Sequence, residues 1–152
     1  MTSTNTPPPA RPLATRKADA LLRLTTDVDA WVSTASTDGA PYLVPLSFIW
    51  TGETFFLSTA SRNPTSLNLQ ANPHLHLAIG GTRDVLLVTG TAQRFTPTQE
   101  QGDTFADKTG FDPRTLKATY PFFEVTPVRI QSWREANELK GRDLMLDGTW
   151  LV

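Results

Sequence analysis

The 152-residue chain contains no cysteine. This excludes disulfides, zinc-thiolate centres and thiol nucleophiles, and it fits a reducing compartment. Histidine is almost as scarce, so any imidazole ligand must be His74 or His76. Charge of either sign in excess is also lacking: 14 basic against 15 acidic side chains leave a net charge of −1. No broad field therefore favours nucleic acid or an anionic membrane surface, and any anion site must be local. No apolar run approaches membrane-spanning length, and the opening MTSTNTPPPARP lacks the hydrophobic core of a secretory signal. The expectation is a cytoplasmic protein with a disordered tail over residues 1–12 and a single domain over residues 13–152.

What is present is a β-rich pattern cut by turns, with no internal repeat. Leu13, Ala20, Leu21 and Leu24 recur near helical spacing and predict a helix over 13–24 covering the end of a sheet. AWVSTAS and PYLVPLSFIW flank the turn pair Asp38-Gly39 and predict a hairpin. Thr51-Gly52-Glu53 turns the chain into TFFLST, and HLHLAIGG and DVLLVTGTAQRF add strands joined around Thr82 to Asp84. Gly90 inside the latter predicts a bulge or the close approach of another group. PTQEQGDTFADKT predicts a helix from Pro97 to Thr109, and DPRTLKAT a second short one. PFFEVTPVRIQSWR predicts a long strand interrupted at Pro127, and RDLMLDGTWLV closes the chain. Strands with short turns and few helices indicate a mainly β fold, a small antiparallel barrel with a few flanking helices.

Ser58 to Pro73 reads STASRNPTSLNLQANP, which sets five hydroxyls and one arginine around the start of a short helix stopped by Pro73. Exposed N–H groups at a helix start, with hydroxyls and the Arg62 guanidinium, can hold a phosphate. Alternatively, Thr65 or Ser66 simply caps the helix. PLSFIW, Pro45 to Trp50, is apolar on both faces, as suits a strand in the barrel core or one beneath a flat apolar ligand. His74 and His76 alternate on one strand face and read as exposed rather than ligating. Arg16, Lys17 and Arg23 read as the solvated face of the first helix, and Arg83 with Asp84 as a turn ion pair. No Ser-His-acid arrangement or GxSxG elbow stands out.

The order VSTASTDGAPYLVPLSFIW, FFLSTAS, a helix ending in ANP, a strand carrying VTGTA, and VRIQSW followed by GR resembles the pyridoxamine 5′-phosphate oxidase-like family. These are the FMN-binding split β-barrels, and the resemblance runs from about Ala30 to the end of the chain. It implies a homodimer with FMN at the subunit interface, acting as an oxidoreductase by hydride transfer. It implies that Leu46, Ser47, Phe48, Ile49 and Trp50 run beside the flavin ring, largely through main-chain contacts. It also implies that Ser58, Thr59, Arg62, Thr65 and Asn68 hold the phosphate. The oxidase proper has a basic pair where this chain has Pro64 and Thr65, so guanidinium, hydroxyl and amide donors must replace it here. Trp133 and Arg142 match residues that approach the flavin from the partner subunit.

One departure bears on the substrate. The oxidase proper holds pyridoxal phosphate with an Arg and a His two apart, and the nearest positions here are Glu138 and Lys140. A carboxylate repels a phosphate, so a small redox substrate other than pyridoxamine phosphate is expected. The alternatives are a deazaflavin coenzyme in place of FMN, or a flavin- or haem-binding protein without turnover. No catalytic residue is assigned, and neither nucleic acid nor a membrane is expected as a partner.

Overall fold

Alternation along the first strand, β1 (Asp29–Ala35), sets the pattern: Ala30, Val32 and Thr34 are buried while Asp29 and Trp31 are exposed. Side chains of a strand point to opposite faces in turn, so one face of β1 lines a core. The structure is a computed structural model that describes residues 6–152, and the first five residues of the expected tail lie outside it. β2 (Pro41–Trp50), β3 (Phe55–Ser58), β4 (His74–Ile79), β5 (Val85–Phe95) and β6 (Phe122–Trp133) complete a barrel with β1. The strand order is β3-β2-β1-β4-β5-β6, and β3 pairs back onto β6, closing an antiparallel ring of six. Closure leaves no open edge among these strands. β7 (Asp143–Leu146) and β8 (Thr149–Trp150) extend the sheet beyond β6 as a hairpin.

The barrel core holds Val32, Phe48, Phe55, Leu57, Leu77, Val88 and Ile130, with Leu24 of the first helix reaching in. That helix, α1 (Leu13–Thr26), buries Arg16, Ala20 and Leu24 and runs two residues past its expected end. α2 (Pro64–Ala71) starts on Pro64 and stops before Asn72-Pro73, as expected. α3 (Gln99–Thr109) is fixed at its start by a capping box: the Thr98 hydroxyl accepts from Gln101 N and the Gln101 side chain from Thr98 N. Gly110 ends it with φ 71°. Gly102 sits within α3 because the Arg114 side chain lies across it; a Cβ there would come within 2.4 Å of Arg114 Nη1.

α3 covers an outer face of the barrel with a second apolar cluster. Phe105 packs with Ile49, Phe56 and Phe122, and Phe95 and Phe111 pack around them. Truncating a fully buried Phe such as Phe105 to Ala costs about 3–5 kcal/mol. This cluster explains why PLSFIW is apolar on both faces only near its end. Phe48 faces the barrel core and Ile49 faces α3, whereas Leu43 and Pro45 stay exposed.

Three local expectations need correction. The last long strand is not interrupted at Pro127: β6 continues through it with a register shift, Thr89 facing Arg129 and Gly90 facing Pro127. The extra residue is a β-bulge, which accommodates a proline that cannot donate to the ladder. A Cβ on Gly90 would lie 2.7 Å from Thr126 O, so bulge and close approach coincide there. DPRTLKAT forms only a 3-10 turn at Pro113–Thr115, because its Leu116 finds no surface to bury against and is 41% exposed. The basic residues of α1 are not a solvated face. Arg16 is buried, Arg23 donates to Asp84 O and Ile79 O, and Lys17 lies over the Trp150 ring.

Candidate functional site

A cavity of about 400 Å³ lies between the outer face of β2 and β3 and the aromatic side chains of α3 and the loop after it. Leu46 and Ser47 line it from β2, Ser58 and Thr59 from the end of β3, and Phe105, Phe111 and Tyr120 from the opposite side. Two stretches that are distant in sequence thus meet: the strand expected beside a flavin ring and the hydroxyl collar expected at its phosphate. Asp29 is the charged group of the lining, and its Oδ1 accepts from Ser47 Oγ at 2.7 Å.

The other expected ring residues divide. Phe48 is fully buried in the barrel core, 5.9 Å from the Phe55 ring. Ile49 and Trp50 line a separate cleft of about 660 Å³ with Phe56, Glu53, Glu100 and Glu124. Alternation of strand faces makes this division unavoidable, since five consecutive residues cannot all face one ligand with their side chains.

Donor by donor, the collar is less free than its composition implies. Ser58 Oγ donates to Pro121 O at 3.0 Å, so its single proton is committed. Thr59 Oγ1 accepts from Asn63 Nδ2 at 2.9 Å and keeps its own proton to donate. Ser66 Oγ donates to Thr59 O, tying α2 to the strand end. Asn68 gives one amide proton to Thr34 Oγ1 at 3.0 Å and retains the other. Neither Thr65 nor Ser66 caps α2, whose first residue is preceded by Asn63 without a side-chain cap. Thr65 is 1% exposed, and its hydroxyl has no hydrogen-bond partner among the described residues. Buried polar groups are almost always paired, so this hydroxyl is a vacant donor beside a helix start. Arg62 is exposed and forms no ion pair among the described residues.

Trp133 and Arg142 lie against each other. The Arg142 guanidinium lies 5.3 Å from the centre of the Trp133 ring and donates to Leu139 O at 3.0 Å. Neither lines the cavity. β3 meets β6 at Phe122, opposite Ser58, whereas Trp133 ends the 12-residue strand.

Glu138 does not line the cavity. It is buried, and its carboxylate accepts from Arg11 Nε and Nη2 and from the backbone N–H groups of Arg11 and Arg134. The Arg11 hydrogen bond, opposed by burial, holds its pKa down at about 2. Arg83 pairs with Glu135, and Asp84 pairs with Arg23 and Arg134, in place of the expected Arg83–Asp84 turn pair. His74 and His76 are exposed, as expected, and His76 Nδ1 is shared with Thr89 Oγ1 at 3.3 Å.

Asp29, Phe105, Phe111 and Tyr120 are site residues that sequence reasoning missed. Asp29 stood just before the strand signal AWVSTAS, and the three aromatics lie in or after a helix whose packing partner was not foreseeable from periodicity.

With the barrel closed and β2 joined to the collar in one cavity, comparison with known proteins becomes informative. The model of the pyridoxamine 5′-phosphate oxidase family matches residues 17–134. The chain belongs to that family. A comparison with curated proteins returns no match. Among solved structures, a Listeria innocua protein named for pyridoxamine 5′-phosphate oxidase superposes with a TM-score of 0.66 at 15% identity, over 78% of this chain and 98% of that one. An F420 reductase gives 0.60 at 20% identity, over 72% and 93%. HutZ, described as a haem storage protein of Vibrio cholerae, gives 0.59 at 15% identity, over 73% and 86%. At these identities the structures share the split-barrel fold. No helix among the described residues is long and apolar enough to cross a membrane.

Proposed function

We propose that this protein binds a flavin nucleotide, FMN in the first instance, between the subunits of a homodimer and serves as a cytoplasmic oxidoreductase for a small molecule. The observation that carries the reading is the cavity in which Leu46 and Ser47 meet Ser58 and Thr59. It presents a strand backbone for a flat ring and aromatic side chains opposite, and its Thr59 edge leads in sequence to the start of α2, where the buried Thr65 hydroxyl has no partner among the described residues. The residues present fit the group. Arg62, the Thr65 hydroxyl, the Thr59 hydroxyl and the second Asn68 amide proton would hold the phosphate, together with the first N–H groups of α2. Pro45 to Ser47 would flank the ring, and Phe105, Phe111 and Tyr120 would exclude water from it.

A flavin supplies the redox chemistry by passing a hydride between donor and acceptor; the protein supplies position, desolvation and hydrogen bonds. Asp29 is held by Ser47, which keeps its carboxylate oriented at the cavity wall. The homodimer is part of this reading because the Trp133–Arg142 pair does not line the cavity of its own subunit. A second subunit would bring its own Trp133 and Arg142 to the cavity of the first.

A deazaflavin coenzyme is the second reading, suggested by the match to an F420 reductase, although the single cation in the collar serves its longer anionic tail less well than FMN. Haem is less well served, because His74 and His76 project from an exposed strand face rather than into the cavity. The deciding experiment is a visible absorption titration of the purified protein with FMN, riboflavin and deazaflavin coenzyme. Tight FMN binding supports the reading, exclusive deazaflavin binding replaces FMN by the second cofactor, and no binding of either overturns both.

A further inference from the structure

Residues 134–142 join β6 to β7 and carry Arg142 at their end. They are held from outside by the segment assigned from sequence to a tail. Glu138, 3% exposed, accepts from Arg11 N at 2.8 Å, Arg11 Nε at 3.0 Å, Arg11 Nη2 at 2.9 Å and Arg134 N at 2.8 Å. Asn137 Nδ2 donates to Pro8 O at 2.8 Å. Arg16, itself buried, donates to Arg11 O, Ser132 O and Glu138 O, and so fastens the same knot to α1. The next residue, Leu139, offers its carbonyl to Arg142 Nη1. An unbroken run of bonds therefore leads from Arg11 through the 3-10 turn Ala136–Glu138 to the guanidinium stacked on Trp133.

We propose that Arg11 is a positioning residue acting through Glu138: Pro8 to Arg11 strap the β6–β7 connection so that Arg142 is preset for the flavin site of the neighbouring subunit. The proposal rests on the flavin reading above. Its physical basis is preorganisation. The connection has few apolar residues of its own to bury, and Gly141 adopts φ 68°, so without the strap Arg142 would have to be ordered at the moment of binding. Charge-assisted, multiply donated contacts to one carboxylate give the strap its geometry. A carboxylate facing Arg11 and Arg16 also has no part in repelling substrate, which reassigns Glu138 from specificity to architecture.

The test is a double-mutant cycle read by FMN titration of the full chain. Arg11→Ala and Arg142→Ala are each expected to weaken FMN binding on the order of tenfold, with the double variant no weaker than Arg142→Ala alone. Independent losses that multiply would overturn the proposal. Arg11→Lys should restore part of the affinity. Because Arg11→Ala strands a buried carboxylate and can unfold the chain, the pair Arg11→Ala/Glu138→Gln is carried in parallel and should show the same weakening. Hydrogen exchange of the cofactor-free variants supplies a readout independent of flavin. Faster exchange confined to residues 134–142 is expected, and unchanged exchange there sinks the strap. Faster exchange with unaltered FMN affinity sinks the positioning role. If wild type binds no FMN, the flavin reading fails while exchange still decides the strap.

Discussion

The Arg142 guanidinium stacks 5.3 Å from the Trp133 ring centre, at the end of β6 remote from the collar at Ser58. In the proposed homodimer a flavin held by both would lie between two chains. Mixing subunits tests this directly. A dimer of one Arg62→Ala chain and one Arg142→Ala chain contains one site with both changes and one with neither. Each homodimer should bind FMN weakly, and the mixed dimer should recover wild-type affinity at half the stoichiometry. Recovery that is absent in a verified mixed dimer means that the two groups serve no common site.

The phosphate cradle makes a prediction of opposite sign for stability and binding. Thr65→Val removes a buried hydroxyl that has no partner, so cofactor-free stability should be unchanged or raised by about 1 kcal/mol. FMN affinity should nevertheless fall, and riboflavin affinity should not. Arg62→Ala should show the same selectivity at about 1.5–3 kcal/mol, the range for a hydrogen bond to a charged group. Equal losses for FMN and riboflavin would place Arg62 and Thr65 away from the phosphate.

Much of this was legible because the signals are local. Asp38-Gly39 marks a hairpin, Pro64 and Pro73 bracket α2, and the helix expected from Pro97 starts two residues later at Gln99, because Thr98 rather than Pro97 sets its first turn. The ordered string of motifs pointed to the barrel. The failures are all non-local. Arg16 looked solvated because its partners, Ser132 and Glu138, lie more than a hundred residues away. Tyr120 and Phe111 became site residues only because the loop after α3 folds back over β2. Ser58 looked like a phosphate donor until Pro121 took its proton.

Trp31 and Leu43 stand 50% and 61% exposed on neighbouring strands, with Pro45 opposite Trp31 in register. These side chains are candidates for the surface that the proposed homodimer would cover. This assignment predicts that Leu43→Glu or Trp31→Glu yields a monomer by analytical ultracentrifugation while circular dichroism still shows the β fold. FMN binding should be lost with the dimer. A dimer that persists in both variants would move the interface to another face.

Gly90 tests the bulge. Its absent Cβ would sit 2.7 Å from Thr126 O and 3.0 Å from Val125 Cγ1, both held by the β5–β6 ladder. Gly90→Ala should destabilise the barrel by about 1–3 kcal/mol, as overpacking does in a close-packed core. Urea melts give the value. A neutral result would show that β6 yields at its bulge.

Acid should loosen the strap before it unfolds the barrel core. Glu138 is held at about 2, below the usual carboxylate value of 4.5, chiefly by the Arg11 hydrogen bond. A depressed folded-state pKa contributes stability that is fully present above the unfolded value and is lost as pH falls through the folded one. The contribution, on the order of 3 kcal/mol, should thus disappear between about pH 4.5 and pH 2. Glu138→Gln removes the titration, and its acid-unfolding curve should be flatter than wild type across that window. Curves that remain parallel from pH 5 to 2 would mean that other carboxylates govern acid stability, and that Arg11 holds Glu138 no better folded than unfolded.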